Sequence, residues 1–221
     1  MSAYELNIDL FISTQCPHCA QALELLTKAI KQETISRLTI INLNTLNHSE
    51  QYAHIRSVPF IQVDDYEFTG EINKAELDTW IKAYQDNKFA AYYFSTLLTD
   101  GHIDQVENFL QRKPVHWLEL VKLAQDPETS MQVRIGITAI FESISHDIAT
   151  LAQSDAIIND LIQAAETKNH AIRVDLVYIL SLLYSALKNQ QQTNSQLNDF
   201  MQRALSDTSN EIQEIAEDVI T

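Results

Sequence analysis

Leu6-Asn7-Ile8-Asp9-Leu10 alternates apolar and polar residues and then runs fully apolar through Phe11 and Ile12. That is the pattern of a strand entering a core. After the short polar stretch Ser13-Thr14-Gln15, the apolar positions Ala22, Leu23, Leu26, Ala29 and Ile30 recur at helical spacing. Leu38–Leu43 predicts a second strand, Ser49–Ile55 a short helix, and Phe60–Val63 a third strand. Asp64-Asp65 predicts a tight turn into a fourth strand, Tyr66-Glu67-Phe68. Lys74–Tyr84 then predicts a helix with Leu77, Trp80, Ile81 and Tyr84 on one face. The order is β-α-β-α-β-β-α over residues 1–85. Its strand–helix–strand opening implies a parallel pair, and its last two strands an antiparallel hairpin.

From Asp86 onward the periodicity is helical throughout, so residues 86–221 form a second, all-α domain. Helices are predicted at Phe89–Leu98, Ile103–Leu110, Trp117–Ala124, Met131–Ile144, Asp155–Ala165, Ala171–Leu187, Leu197–Leu205 and Glu211–Ile220. Turn and cap residues break them at Asp100-Gly101, Lys113-Pro114, Asp126-Pro127, Ser154-Asp155 and Asp207-Thr208-Ser209. A weak repeat runs through this region. Gln132-Val133-Arg134-Ile135, Ala171-Ile172-Arg173-Val174 and Glu211-Ile212-Gln213-Glu214 each follow a polar turn and open an apolar helix. Arg134 lies 39 residues before Arg173, which lies 40 before Gln213. This resembles the stacked helix pairs of HEAT-type repeats, with an unrelated helical bundle as the alternative. The third copy lacks the arginine, as a capping or degenerate unit would.

Composition narrows the function. The chain has 221 residues, a formal net charge of −15, only 3 glycines and 4 prolines. The glycine poverty agrees with the helical reading. Residues 1–85 carry 11 acids and 6 bases, and residues 86–221 carry 19 and 9. Both parts are acidic, which argues against a nucleic-acid-binding surface. The sequence offers no membrane span: the apolar run Val174–Leu183 is short and interrupted by Asp175. MSAYELNIDLF has neither a basic segment nor a long apolar run, so no signal peptide is read and a cytoplasmic location is expected. No glycine-rich phosphate loop and no nucleophile elbow occurs. His102, His116, His146 and His170 are scattered, as surface or core-edge histidines are. Trp80 and Trp117 fall on apolar helical faces and are expected in cores.

The chain has 2 cysteines, in Cys16-Pro17-His18-Cys19 at the junction of the first strand and helix. A disulfide-stapled secreted protein shows more cysteines, more widely spaced. The placement suits thiol chemistry. Thiolate is the nucleophile, and a helix N-terminus stabilises it through unpaired N–H groups and the dipole. Pro17 fits the first helical turn, where its missing N–H costs nothing. Cys19, one turn on, can attack a mixed disulfide formed at Cys16. Cys16 is therefore expected to be accessible and Cys19 more buried. A protonated His18 would favour the Cys16 thiolate and make the disulfide more oxidising. Two other readings exist, a zinc half-site and a structural disulfide. Zinc wants four ligands, and only His18, His48 and His54 could supplement the thiols, so no metal site is expected.

Residues 4–84 resemble a minimal thioredoxin-fold, glutaredoxin-like domain. The resemblance rests on Cys16-Pro17-His18-Cys19 after the first strand and Ser57-Val58-Pro59-Phe60 before the hairpin. Gly70, after the fourth strand, also fits. It implies that Pro59 is cis and lies against the dithiol, and that Val58 offers backbone hydrogen bonds to a bound substrate chain. Some positions depart from the pattern. Leu10 stands where thioredoxins carry a buried proton-accepting Asp, and Asp9 is one residue off. The Gly-Gly-x-Asp run of glutathione-binding glutaredoxins does not follow the fourth strand. Cys-Pro-His-Cys itself resembles the site of strongly oxidising periplasmic thiol oxidases, whose helices are inserted within the fold rather than appended. The expected function is a thiol–disulfide oxidoreductase acting on protein thiols or disulfides, without a bound cofactor. Cys16 attacks, Cys19 resolves, His18 tunes, and Val58 and Pro59 guide substrate, while the helical domain recruits a protein partner. The alternative is a redox-controlled interaction module whose dithiol switches docking without turnover.

Overall fold

A computed structural model describes residues 6–45, 52–143, 155–166 and 169–220. The chain packs as two units, Met1–Tyr93 and Phe94–Thr221.

The first unit is built on strands β1 (Asn7–Ile12), β2 (Arg37–Asn42), β3 (Phe60–Val63) and β4 (Tyr66–Thr69). They form one sheet in the order β2-β1-β3-β4. β1 and β2 are parallel, while β1–β3 and β3–β4 are antiparallel. Helix α1 (Pro17–Lys31) supplies the crossover between the parallel strands, and α2 (Lys74–Gln85) follows β4. Of the predicted helix at Ser49–Ile55, residues 49–51 lie outside the described residues, and 52–55 form a turn in which the Ile55 N–H donates to the Tyr52 carbonyl at 3.0 Å. The alternation in β1 does what the pattern requires. Ile8 and Leu10 are fully buried, and the core continues through Ala22, Leu26 and Ala29 of α1. The two-residue loop Asp64-Asp65 joins β3 to β4, with Val63 paired to Tyr66. Asp64 takes φ +52°, a left-handed conformation that Asp tolerates better than most residues. The Tyr84 hydroxyl donates to Asp64 Oδ2 at 2.9 Å, tying the end of α2 to the hairpin.

The sequence boundary at 85/86 differs from the packing boundary. Helix α3 (Phe89–Thr99) starts inside the first unit, because its aromatic first turn belongs there. Phe89 and Tyr93 pack on Tyr66 with ring centroids 5.2 and 5.1 Å apart, and both also meet Phe68. Polarity patterning marks the start of a helix but not which core its first residues fill.

The second unit contains α4 (Ile103–Arg112), α5 (Trp117–Gln125), α6 (Met131–Ser143), α7 (Asp155–Ala165), α8 (His170–Asn189), α9 (Ser195–Ala204) and α10 (Asn210–Ile220). Helix α8 is central: α5, α6, α7, α9 and α10 all pack on it. The apolar run Val174–Leu183 is thus part of a 20-residue helix, which by length and composition alone could cross a membrane. Its composition has a packing cause. A helix surrounded by helices is apolar on most sides, and Leu176, Val177, Ile179, Leu180 and Leu183 are all buried here. Asp175, inside the run, is ion-paired with Arg134 of α6 at 2.6 Å. Arg173 makes the corresponding reach forward, with Nη2 2.6 Å from Asp207 Oδ2 and Nε donating to the Ala165 carbonyl. At the third position Gln213 replaces the arginine and donates to the Asp207 backbone carbonyl at 2.6 Å. The repeated positions found in sequence therefore all carry polar links within this unit.

Candidate functional site

The dithiol sits where β1 hands the chain to α1. Cys16 is the N-cap of α1 and Pro17 opens it, so Cys16 keeps extended backbone angles while helical N–H groups point back at its side chain. The Cys19 N–H donates to Cys16 Sγ at 3.2 Å. The Cys16 N–H donates to the Ser13 carbonyl at 3.2 Å, holding the loop ahead of the helix. That loop is pinned from the 3-10 turn Leu43–Thr45 that follows β2, where Asn44 Oδ1 accepts from the Thr14 N–H at 2.9 Å and from its hydroxyl at 3.1 Å. Both cysteines are free thiols; Cys16 is half-buried and Cys19 is buried. The one-turn spacing accounts for the asymmetry. Residue 19 faces the core beside Ala22, while residue 16 stays at the cap.

The chain returns to the dithiol through Val58-Pro59, whose peptide bond is cis. Cys16 Sγ donates to the Val58 carbonyl at 3.3 Å across 42 residues of sequence. The Val58 carbonyl, just ahead of the cis bond, thus stands beside Cys16. Sheet pairing brings a further residue there. Phe60 pairs with Thr69, and the Gly70 N–H donates to the Pro59 carbonyl at 3.0 Å, extending the β3–β4 ladder by one step. Gly70 then turns with φ +97°, a conformation natural to glycine. Glu71 follows, and its Oε1 lies 2.5 Å from Nδ1 of His18, both side chains being exposed. An exposed pair of this kind contributes only about 0–1 kcal/mol to stability. Sequence reading missed Glu71, because only the hairpin register brings a residue 53 positions away to His18.

Leu10, at the position of the thioredoxin aspartate, is fully buried and lies between Ile40 and Ile61 in the sheet register. That row is apolar and offers no proton acceptor. Asp9 lies on the adjacent row between Thr39 and Gln62, and its Oδ1 is buried without a hydrogen-bond partner among the described residues. No group of three His, Cys, Asp or Glu suited to a metal occurs among the described residues, and His48 lies outside them.

Burial and the Cys16 thiol push Cys19 up to about 11 from the ordinary 9.0, against a lowering hydrogen bond from the Ser13 backbone. Cys19 therefore keeps its proton at neutral pH and must lose it when it acts. The folded state holds this proton more tightly than the unfolded chain. The resulting stabilisation is complete below the unfolded value of 9.0 and is lost as pH rises through about 11. Urea midpoints measured from pH 8 to pH 11 should fall more steeply for the reduced wild type than for Cys19→Ala. Parallel curves would contradict this assignment.

Residues 6–82 match the sequence model of a thioredoxin domain. The match spans the four strands and most of α2, so this part of the chain is a thioredoxin-like domain followed by a helix-rich region. A comparison with curated proteins finds no match for the chain.

Proposed function

We propose that the protein is a thiol–disulfide oxidoreductase acting on protein substrates in the cytoplasm. The observation that carries this reading is the position of Cys16. It is accessible, caps a helix, receives the Cys19 N–H, and faces the Val58 carbonyl. In the reducing direction, the Cys16 thiolate attacks one sulfur of a substrate disulfide. The substrate S–S bond breaks, and its departing thiolate takes a proton. The Cys19 thiol then gives up its proton and attacks Cys16 Sγ, forming the intramolecular disulfide and releasing the second substrate thiol. Two electrons and two protons pass from the dithiol to the substrate. A thiol pool or reductase restores the dithiol, and the same steps run backward to oxidise a dithiol substrate. Pro17 sets the cap geometry, His18 tunes the thiolate, and Val58 with Pro59 aligns the incoming chain. The helical unit offers a protein partner an extended surface in the manner of stacked helical repeats.

Turnover tests the reading directly. Wild-type protein should accelerate insulin disulfide reduction by dithiothreitol, and Cys16→Ser should remove that acceleration entirely. Absence of turnover in the wild type, combined with partner binding that changes on oxidation, would replace this reading with the docking-switch alternative.

A further inference from the structure

We infer that Glu71 is a positioning residue for the dithiol, holding the His18 imidazole where its charge acts on Cys16. The inference rests on the oxidoreductase reading and adds to it a residue from the far hairpin. His18 occupies the second helical position, on the exposed side of the helix start, and its ring has freedom to swing among rotamers. An imidazole that swings into solvent spreads its influence through water, where a unit charge acts weakly. Glu71 removes that freedom by accepting from Nδ1 at 2.5 Å. A ring nitrogen engaged by a carboxylate fixes both ring orientation and the site of the proton.

The position of Glu71 is itself constrained. The Gly70 N–H is held by the Pro59 carbonyl and the chain turns at φ +97°, so Glu71 leaves the hairpin beside the Val58-Pro59 segment that faces Cys16. The charged group that meets the His18 ring among the described residues is thus the Glu71 carboxylate, while Cys16 stands two residues earlier at the cap and Cys19 turns to the core. Glu71 also carries a negative charge, which by itself disfavours a nearby thiolate. Both side chains are exposed, so both charges reach Cys16 through solvent and are screened alike; what Glu71 adds beyond its charge is a fixed ring orientation. Fixation is expected to win. Glu71 should make the Cys16–Cys19 disulfide more oxidising by favouring the reduced form.

The test is the equilibrium of the full chain with glutathione, in which one glutathione disulfide and the dithiol give two glutathione thiols and the protein disulfide. The constant is read at pH 7 by alkylating the free thiols. Glu71→Ala should shift it toward the protein disulfide by about twofold to fivefold, the range of exposed pairings. His18→Gln should shift it in the same direction, and Glu71→Ala added to His18→Gln should produce no further change. Glu71→Gln, whose amide oxygen still accepts from Nδ1, should retain most of the wild-type value. An unchanged constant in Glu71→Ala, a shift toward the dithiol, or full additivity with His18→Gln would overturn the inference while leaving the dithiol chemistry intact. Failure of wild-type Cys16 and Cys19 to form a disulfide at any glutathione ratio would overturn both.

Discussion

Replacing Cys19 with serine should stall the protein on its substrate: turnover falls by on the order of a thousandfold or more, while a covalent adduct at Cys16 accumulates. The reasons lie in the geometry of the helix start. Cys16 keeps its cap position, its accessibility and its contact with the Val58 carbonyl, so the first attack proceeds. The buried thiol that would break the mixed disulfide is gone, and a serine hydroxyl does not displace a thiolate from sulfur. The adduct should survive non-reducing electrophoresis, disappear with dithiothreitol, and be absent when Cys16 is also replaced. Mass spectrometry of the trapped species then identifies the substrate by the cysteine it contributes. Rapid turnover by Cys19→Ser would show that an external thiol performs the resolving step. A complete lack of adducts, with Cys16 unreactive toward disulfides, would remove the oxidoreductase reading itself.

A second large effect is expected away from the dithiol. Trp80→Ala should destabilise the thioredoxin-like unit by about 3–5 kcal/mol, the usual range for deleting a buried large aromatic. Trp80 is 1% exposed and stacks on Phe68 of β4 with ring centroids 4.0 Å apart. Phe68 in turn contacts Phe89 and Tyr93, so the vacated space opens into an aromatic cluster with few ways to collapse. The indole N–H has no hydrogen-bond partner among the described residues. The loss is therefore one of packing and dispersion rather than of a polar contact. Chemical unfolding followed by far-ultraviolet circular dichroism gives the measurement, and a loss below about 1 kcal/mol would show that the cluster repacks. Trp80→Phe should recover a large part of the loss, because a ring still faces Phe68.

The two expectations draw on different kinds of information. That residues 74–84 form a helix with Leu77 and Trp80 on its buried face was legible in the spacing, because each turn of a helix presents the same side to the core. The helical breaks in the second half were equally legible, since Asn, Asp, Gly and Pro act locally on the backbone. Observed element ends fall close to the expected ones for that reason. Patterning was less informative where one element serves two purposes. Phe89 and Tyr93 fell in a helix predicted over Phe89–Leu98 and assigned to the second region, yet they complete the aromatic cluster of the first unit. Val174–Leu183 fell inside a helix predicted over Ala171–Leu187, yet the pattern did not show that five helices pack around it at the centre of the second unit.

At the dithiol, the sequence alone determined that two cysteines lie one turn apart at a helix start, because strand, cap and helix are contiguous in the chain. Resemblance to a known fold supplied Val58 and Pro59. Only the tertiary structure decided what surrounds them. The register of β3 against β4 carries Gly70 to Pro59 and delivers Glu71 to His18, and the β1 register places Leu10 in an apolar row without a proton acceptor. The physical reason is range. Caps, turns and periodicity are settled by neighbours a few residues apart, whereas a charge 53 residues away meets His18 only after the sheet has paired.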